Sequence, residues 1–296
     1  MADARHVRKL FEKHGLSPKK WMGQNLLVDR AYLHKILAAA RVQPDECIIE
    51  VGAGLGVLTE ALLDRGAKVW ALELDSGFFR VLQEKFSDSQ GVVLVHADAL
   101  TYDFHALAGQ VGRLKVVANL PYNISSRLVF MFHENRDIFQ SLYILLQKEV
   151  AQRLVAEPGT KDYGILTVLL GVSAEVESLF NIPPKAFFPV PEVISSLVRI
   201  TFPSSLPVGV SDPGLLTRLV KAAFTGRRKT LKNTLKNLTI PGITESMVHV
   251  AAQDAGIDLA RRGETLSPKE FAAFADALSG LAGPGKHDAD CDPEGA

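Results

Sequence analysis

Four stretches of this sequence place chemically capable residues at the ends of apolar runs. The first is Glu50-Val-Gly52-Ala-Gly54-Leu-Gly56-Val-Leu-Thr59, directly after the apolar run Cys47–Val51 and opening a helical pattern. Glycines there let the backbone turn sharply and let a ligand approach it closely. Glu73 stands at the end of the next apolar run; a carboxylate about 20 residues past such a loop can hydrogen-bond a ribose diol. Asp98, in His96-Ala-Asp98-Ala, ends the third run. It is placed to accept from an adenine amino group, and it also suits a turn or a helix N-cap. Together these residues point to a nucleoside-containing cofactor at the carboxyl ends of parallel strands. The fourth stretch is Asn119-Leu120-Pro121-Tyr122-Asn123-Ile-Ser125-Ser126. Turn chemistry explains its proline and serines but not a tyrosine and an asparagine crowded at that point. The amide oxygen of Asn119 and the backbone carbonyl of Leu120 could accept both N–H groups of an amine, and Tyr122 could stack on a planar base.

The glycine spacing bears on which cofactor is bound. A dinucleotide fingerprint is G-x-G-x-x-G, whereas here the third glycine comes one residue early and Val57 holds its place. The pattern E-x-G-x-G-x-G instead resembles that of S-adenosylmethionine methyltransferases, whose cofactor has no pyrophosphate. A tight turn without a ligand and a dinucleotide site remain the alternatives. With the asparagine turn, the pattern fits methylation of the exocyclic amine of adenine. That amine is a poor nucleophile because its lone pair is delocalised into the ring. Accepting both its N–H groups favours a tetrahedral nitrogen with an available lone pair. Catalysis of this kind is positioning and electrostatics, and it needs no His or Cys nucleophile.

More of the chain, about residues 5–280, resembles the rRNA adenine N6-dimethyltransferases that modify two adjacent adenosines near the 3′ end of small-subunit rRNA. The resemblance is carried by Gly23-Gln24-Asn25-Leu26-Leu27, by Glu50–Thr59, Asn119–Ser126 and Gln147-Lys148-Glu149-Val150-Ala151, and by Phe188-Pro189-Val-Pro191-Glu-Val193-Ile-Ser195. Gly226-Arg227-Arg228-Lys229-Thr230-Leu231-Lys232-Asn233 and Arg262–Ser267 extend it. Leu26 stands where the family motif has Phe. The resemblance implies cofactor contacts from Asn25, Leu27, Gly52, Glu73, Asp98 and Asn119. It assigns substrate positioning to Asn119, Leu120 and Tyr122, with Phe188 as the second wall of the target base. The implied fold is an α/β, Rossmann-like, seven-stranded methyltransferase sheet with a small C-terminal all-α domain. The implied partner is rRNA within an immature small subunit, with a role in its biogenesis.

The elements that must position these residues follow from periodicity. The 296 residues are 47% hydrophobic and 22% charged, which is ordinary globular composition for about two domains. Strands read as Cys47–Val51, Lys68–Leu74, Val92–His96, Leu114–Ala118 and Leu142–Leu146. Helices fall at Asp29–Ala40, Val57–Leu63, Phe78–Phe86 and Ser126–His133, and a further helix runs through Arg153. That alternation predicts a doubly wound parallel sheet. Runs near Leu169–Glu177 and Ser195–Phe202 read as an antiparallel strand pair at its edge. Pro203–Pro207 reads as a linker, followed by helices at Leu215–Thr225, Lys229–Asn237, Glu245–Ala255 and Pro268–Leu281. The expected organisation is a catalytic domain over 1–203, a helical rRNA-binding domain over 208–282 and a disordered acidic tail over 283–296.

Two cysteines, Cys47 and Cys291, cannot make a zinc site, and the chain is long enough to need no disulfide. A reducing cytoplasm is the expected compartment. No apolar run reaches the length of about 18 residues that a membrane span needs, and the first 22 residues do not read as a signal peptide. The chain is expected to act as a monomer, without metal.

Formal net charge is zero, which argues against a wholly basic nucleic-acid binder, yet the charge is unevenly spread. Between Gly214 and Thr244 lie seven basic residues (Arg218, Lys221, Arg227, Arg228, Lys229, Lys232, Lys236) and no acidic one. A solvated helix face usually mixes signs, so this run reads as a phosphate-binding surface. Met1–Met22, with six basic residues against two acidic, is a second candidate contact. Competing readings are a large-subunit rRNA methyltransferase of the macrolide-resistance type, a non-catalytic rRNA-binding assembly factor and a DNA adenine methyltransferase.

Overall fold

A computed structural model describes residues 4–17, 23–205, 207–236, 240 and 242–282. Lys19, Lys20 and the acidic tail read from the sequence lie outside them. Two compact units are formed, the first from the described residues up to Gln152 with Glu175–Ser204, the second from Arg153–Ala174 with the described residues from Ser205 on. Arg153–Ala174, assigned by the linear reading to the catalytic domain, thus belongs to the helical unit.

In the first unit, α1 (Ala4–Lys13), β1 (Leu26–Leu27) and α2 (Arg30–Ala39) precede the main alternation. β2 (Cys47–Val51), β3 (Lys68–Glu73), β4 (Val92–His96), β5 (Leu114–Asn119) and β6 (Phe139–Gln147) follow, separated by α3 (Val57–Leu63), α4 (Ser76–Lys85), α5 (Phe104–Val111) and α6 (Ser125–Glu134). After α7 (Lys148–Leu154) and α8 (Ile165–Ser173), the sheet is completed by β7 (Glu175–Ile182) and β9 (Ser195–Thr201); β8 (Phe187–Phe188) lies between them in sequence and pairs with β1 instead. The seven-stranded order is β4-β3-β2-β5-β6-β9-β7. β2 to β6 are parallel, and β9 runs antiparallel to both its neighbours, β6 and β7. The expected antiparallel edge pair is therefore present. Its first member starts later than read, because Leu169–Ser173 is helical. The run Ile165–Ser173 is apolar nearly throughout and buried over most of its length, and a wholly apolar helix has no polar face to reveal its period.

Local chemistry sets the helix starts. Asp29 caps α2 by accepting from Ala31 N at 2.9 Å, and Asp75 caps α4 by accepting from Gly77 N at 2.8 Å. Leu33, Ile36 and Leu37 of α2 pack into the same core as Ile48, Val69 and Ala71 of the sheet. Val7 and Phe11 of α1 join that core. The order reverses between β2 and β5, which are adjacent. In doubly wound sheets the ligand crevice lies outside the carboxyl ends of the strands at such a switch point. Gly52 follows β2 and Asn119 ends β5, so sheet topology alone brings the two motifs together.

The second unit is helical: α8 with α9 (Pro213–Ala223), α10 (Leu231–Leu235), α11 (Glu245–Asp254) and α12 (Pro268–Ala282). Tyr163 is buried there and donates its hydroxyl to Leu266 O at 2.8 Å.

Candidate functional site

A cavity of about 260 Å³ opens at the switch point, lined among others by Gly52, Gly54, Glu73, Asp98 and Asn119. Its wall also takes in Gln24, Asn25, Leu26, Pro121, Asn123 and Arg127. The backbone explains the glycines. Gly52, Gly54 and Gly56 have φ of 76°, 58° and 72°, a region that costs other residues about 1–2 kcal/mol. A Cβ on Gly52 would also lie 3.3 Å from Pro121 Cδ, so the glycine loop and the asparagine turn touch directly. Gly23 packs on the same turn, where a Cβ would meet Tyr122 N at 2.8 Å.

Glu73 shapes this loop as well as lining the cavity. Its two carboxylate oxygens accept from Gly54 N at 2.7 Å and Asp75 N at 2.8 Å. Burial pushes its pKa up, while those backbone donors oppose the shift. A carboxylate offers about four acceptor sites; the backbone donors, Leu74 N with them, use up to three, which leaves one for a ribose hydroxyl. Asp98 accepts from Leu100 N at 2.9 Å, so it caps its turn and lines the cavity at once. Glu50 lies behind the loop, 1% exposed, and accepts from Thr59 Oγ1 at 2.6 Å. Burial drives its pKa up to about 8, so it is a neutral acid at pH 7, bracing the loop from inside.

Asn119 carries the most informative geometry. Its amide nitrogen donates to Asn25 O at 2.6 Å. A carbonyl accepts only, so the amide group has one possible orientation. That leaves Asn119 Oδ1 buried with no hydrogen-bond partner among the described residues. An unpaired buried acceptor costs about 1–3 kcal/mol, and an incoming N–H donor would relieve that cost.

Not every residue expected at the site lines the cavity. Leu27 faces the core in register with Phe187, while Leu26 lines the wall. The Leu120 side chain is buried next to Asn119. Tyr122 and Phe188 stand outside the cavity wall. Tyr122 is half-buried, with its hydroxyl 2.6 Å from Ser195 Oγ. Phe188 packs on Phe11 at 5.9 Å, with the Arg8 guanidinium 5.7 Å from its ring centre. Gln24, which donates to Asp75 at 3.3 Å, and Ser195 were quoted in sequence motifs but given no role. Among the described residues no cluster of His, Cys, Asp and Glu could hold a metal, and no helix is long and apolar enough to cross a membrane.

The family model described as ribosomal RNA adenine dimethylase matches residues 15–273. The chain belongs to the ribosomal RNA adenine dimethylase family. A relative from Geobacter metallireducens, named ribosomal RNA small subunit methyltransferase A, is 45% identical over 271 residues, covering 91% of this chain and 98% of that protein. One of the same name from Magnetococcus marinus is 42% identical and covers 91% and 95%. Among solved structures, the 23S rRNA methyltransferase ErmE is similar with a TM-score of 0.63 at 25% identity, covering 86% of this chain and 99% of its own. A dimethyladenosine transferase from Plasmodium falciparum shares the fold with a TM-score of 0.69 at 24% identity, covering 84% and 95%. This rRNA adenine dimethylase family member is thus an enzyme of the methyltransferase class.

In this dimethylase family member the basic run belongs to the helical unit. Arg227, Arg228 and Lys229 sit exposed on the turn between α9 and α10, and α10 starts at Leu231 rather than at Lys229 as read from the sequence. Leu231 N and Lys232 N bond to Arg261 O and Leu259 O at 2.8 and 3.0 Å, which fixes the end of that turn. Lys221, Lys232 and Lys236 are also exposed. Arg218 differs: it is half-buried, and its Nε and one terminal nitrogen are enclosed without a partner among the described residues.

Proposed function

We propose that this enzyme transfers methyl groups from S-adenosylmethionine to the N6 amino groups of two adjacent adenosines near the 3′ end of small-subunit rRNA, giving N6,N6-dimethyladenosine. The observation that carries the chemistry is the buried, unpartnered Asn119 Oδ1 beside the cavity. The cofactor supplies an electrophilic methyl group. Gly52 and Gly54 let it approach the backbone, Glu73 takes a hydroxyl of its ribose diol and Asp98 its adenine amine. Asn25 holds Asn119, and Leu27 anchors the short β1 strand beside Asn25. Asn119 Oδ1 and the Leu120 carbonyl accept the two N–H groups of the target amine, freeing its lone pair. Tyr122 and Phe188 hold the extruded base between them. A singly methylated amine keeps one N–H, so the same acceptors serve a second transfer.

The helical unit supplies the rRNA contact, with Lys221, Arg227, Arg228, Lys229, Lys232 and Lys236 on phosphates and Arg218 contributing from a half-buried position. Folded rRNA is held this way through shape and backbone charge. The names of the relatives support small-subunit rRNA, and the Arg227–Asn233 run favours it over large-subunit rRNA. We place the enzyme in the cytoplasm as a monomer, acting on immature small subunits during their biogenesis. The test is transfer of a labelled methyl group to unmethylated small subunits, large-subunit rRNA and DNA in parallel. Label is expected on the small-subunit rRNA alone, at N6. Equal labelling of large-subunit rRNA or of DNA would overturn the assignment.

A further inference from the structure

The hydroxyl of Tyr122 meets Ser195 Oγ at 2.6 Å. Ser195 is fully buried, at 0% exposure, and opens β9. It sits in register with Gln147 of β6 on one side and Ile182 of β7 on the other. A hydroxyl on a strand paired along both edges has little freedom to move. The backbone end of the tyrosine is held too, since Ser125 Oγ donates to Tyr122 O at 3.1 Å. A tyrosine side chain has only two torsions, so holding both its ends fixes where the ring lies and the direction of its Cγ–Oη axis, and the phenol O–H, which prefers the ring plane, biases the ring's rotation about that axis.

The segment that carries Ser195 also carries Phe188. Phe188 ends β8, and the chain runs from it through Ile194, whose carbonyl accepts from Lys148 N at 2.8 Å, directly into Ser195. We infer that Ser195 is a positioning residue. Its hydroxyl holds the Tyr122 ring for stacking on the target adenine, so that one stretch of chain, Phe188–Ser195, sets both walls of the base slot. This rests on the reading of Tyr122 and Phe188 as those walls. Phe188 acts directly, and Tyr122 is set through Ser195. RNA affinity comes from phosphate contacts elsewhere, so loosening the ring slows transfer in the bound complex and leaves binding alone.

The test is a double-mutant cycle read by methyl transfer to unmethylated small subunits, with Ser195→Ala, Tyr122→Phe and the pair. Tyr122→Phe keeps the ring and removes the same hydrogen bond from its other end, so it serves even if Ser195→Ala folds poorly. Losing one neutral hydrogen bond corresponds to roughly a two- to tenfold effect. Each single variant is expected to lower kcat by that factor with KM for the particle and cofactor affinity unchanged. The double variant is expected to be no slower than the slower single one. Multiplying effects would show that Ser195 acts through something other than Tyr122. Normal kcat in Ser195→Ala and Tyr122→Phe, with Tyr122→Ala impaired, would leave the base wall standing and remove Ser195 from it. Normal kcat in Tyr122→Ala would remove both.

Discussion

Replacing Glu50 by Gln should stabilise the protein, and the gain should depend on pH in a defined direction. Glu50 is 1% exposed, and its carboxyl group titrates near pH 8 in the folded chain against 4.5 in an unfolded one. Burial is the largest cause; Glu73 adds to it, while Thr59 and Lys85 oppose it. The folded state therefore binds one more proton than the unfolded state between pH 4.5 and about 8. Folding loses stability as pH rises through that window, at about 1.4 kcal/mol per unit. From pH 4.5 to 7 the loss reaches roughly 3 kcal/mol, an upper figure. Glutamine has nearly the same shape, never ionises, and its oxygen can still accept from Thr59. At roughly 2–4 °C per kcal/mol, Glu50→Gln should melt up to about 10 °C higher at pH 7. The difference should shrink towards zero near pH 4.5. Thermal melts of both proteins by circular dichroism at pH 5, 6, 7 and 8, at fixed ionic strength, measure it. A melting difference that stays constant across those four points would refute the claim that Glu50 is neutral in the fold.

Glu73→Ala should weaken S-adenosylmethionine binding at least about tenfold by calorimetry, since a hydrogen bond to a charged group is worth roughly 1.5–3 kcal/mol. It should also lower the melting temperature, because Gly54 N and Asp75 N lose their acceptor. Reversing Arg227, Arg228 and Lys229 to Glu should leave cofactor affinity and melting temperature unchanged, as these side chains are exposed. The same variant should fail to co-sediment with immature small subunits, and any residual binding should show a salt slope flatter by about one unit per lost phosphate contact. Parental co-sedimentation at two salt concentrations would reduce the cluster to a solvated turn.

How much of this could be read in advance depended on how local the signal was. The five parallel strands and their helices were legible because four of the apolar runs are closed by Gly, Asp or Asn within a few residues and the fifth by Gln147-Lys148-Glu149. Gly52, Glu73, Asp98 and Asn119 were legible as a site because sheet topology puts strand carboxyl ends together whatever the side chains do. β1 and β8 are two residues each, too short to show a period, so the pairing of Leu26 with Phe188 was not visible. α8 was misread in part because an apolar helix and a buried strand look alike. The two hydrogen bonds that matter most for the chemistry join Asn119 to Asn25 and Tyr122 to Ser195, across 94 and 73 positions. No window of sequence contains such pairs. In the motif Phe188–Ser195 the sequence points to Phe188, while Ser195 is the residue in contact with Tyr122. The membership of Arg153–Ala174 in the helical unit is likewise a tertiary fact.

The central claim is that Asn119 Oδ1, which has no partner among the described residues, accepts an N–H of the amine being methylated. Single-turnover methyl transfer by Asn119→Ala, on unmethylated small subunits with both cofactor and particle saturating, tests it most directly. The account predicts a rate lower by about 10²–10³, the size of one lost transition-state hydrogen bond in a dry site. It also predicts that the variant still co-sediments with the particle as the parent does. A rate within a few-fold of the parent under those conditions would contradict it, and the acceptor for the target amine would have to be sought elsewhere in the cavity wall.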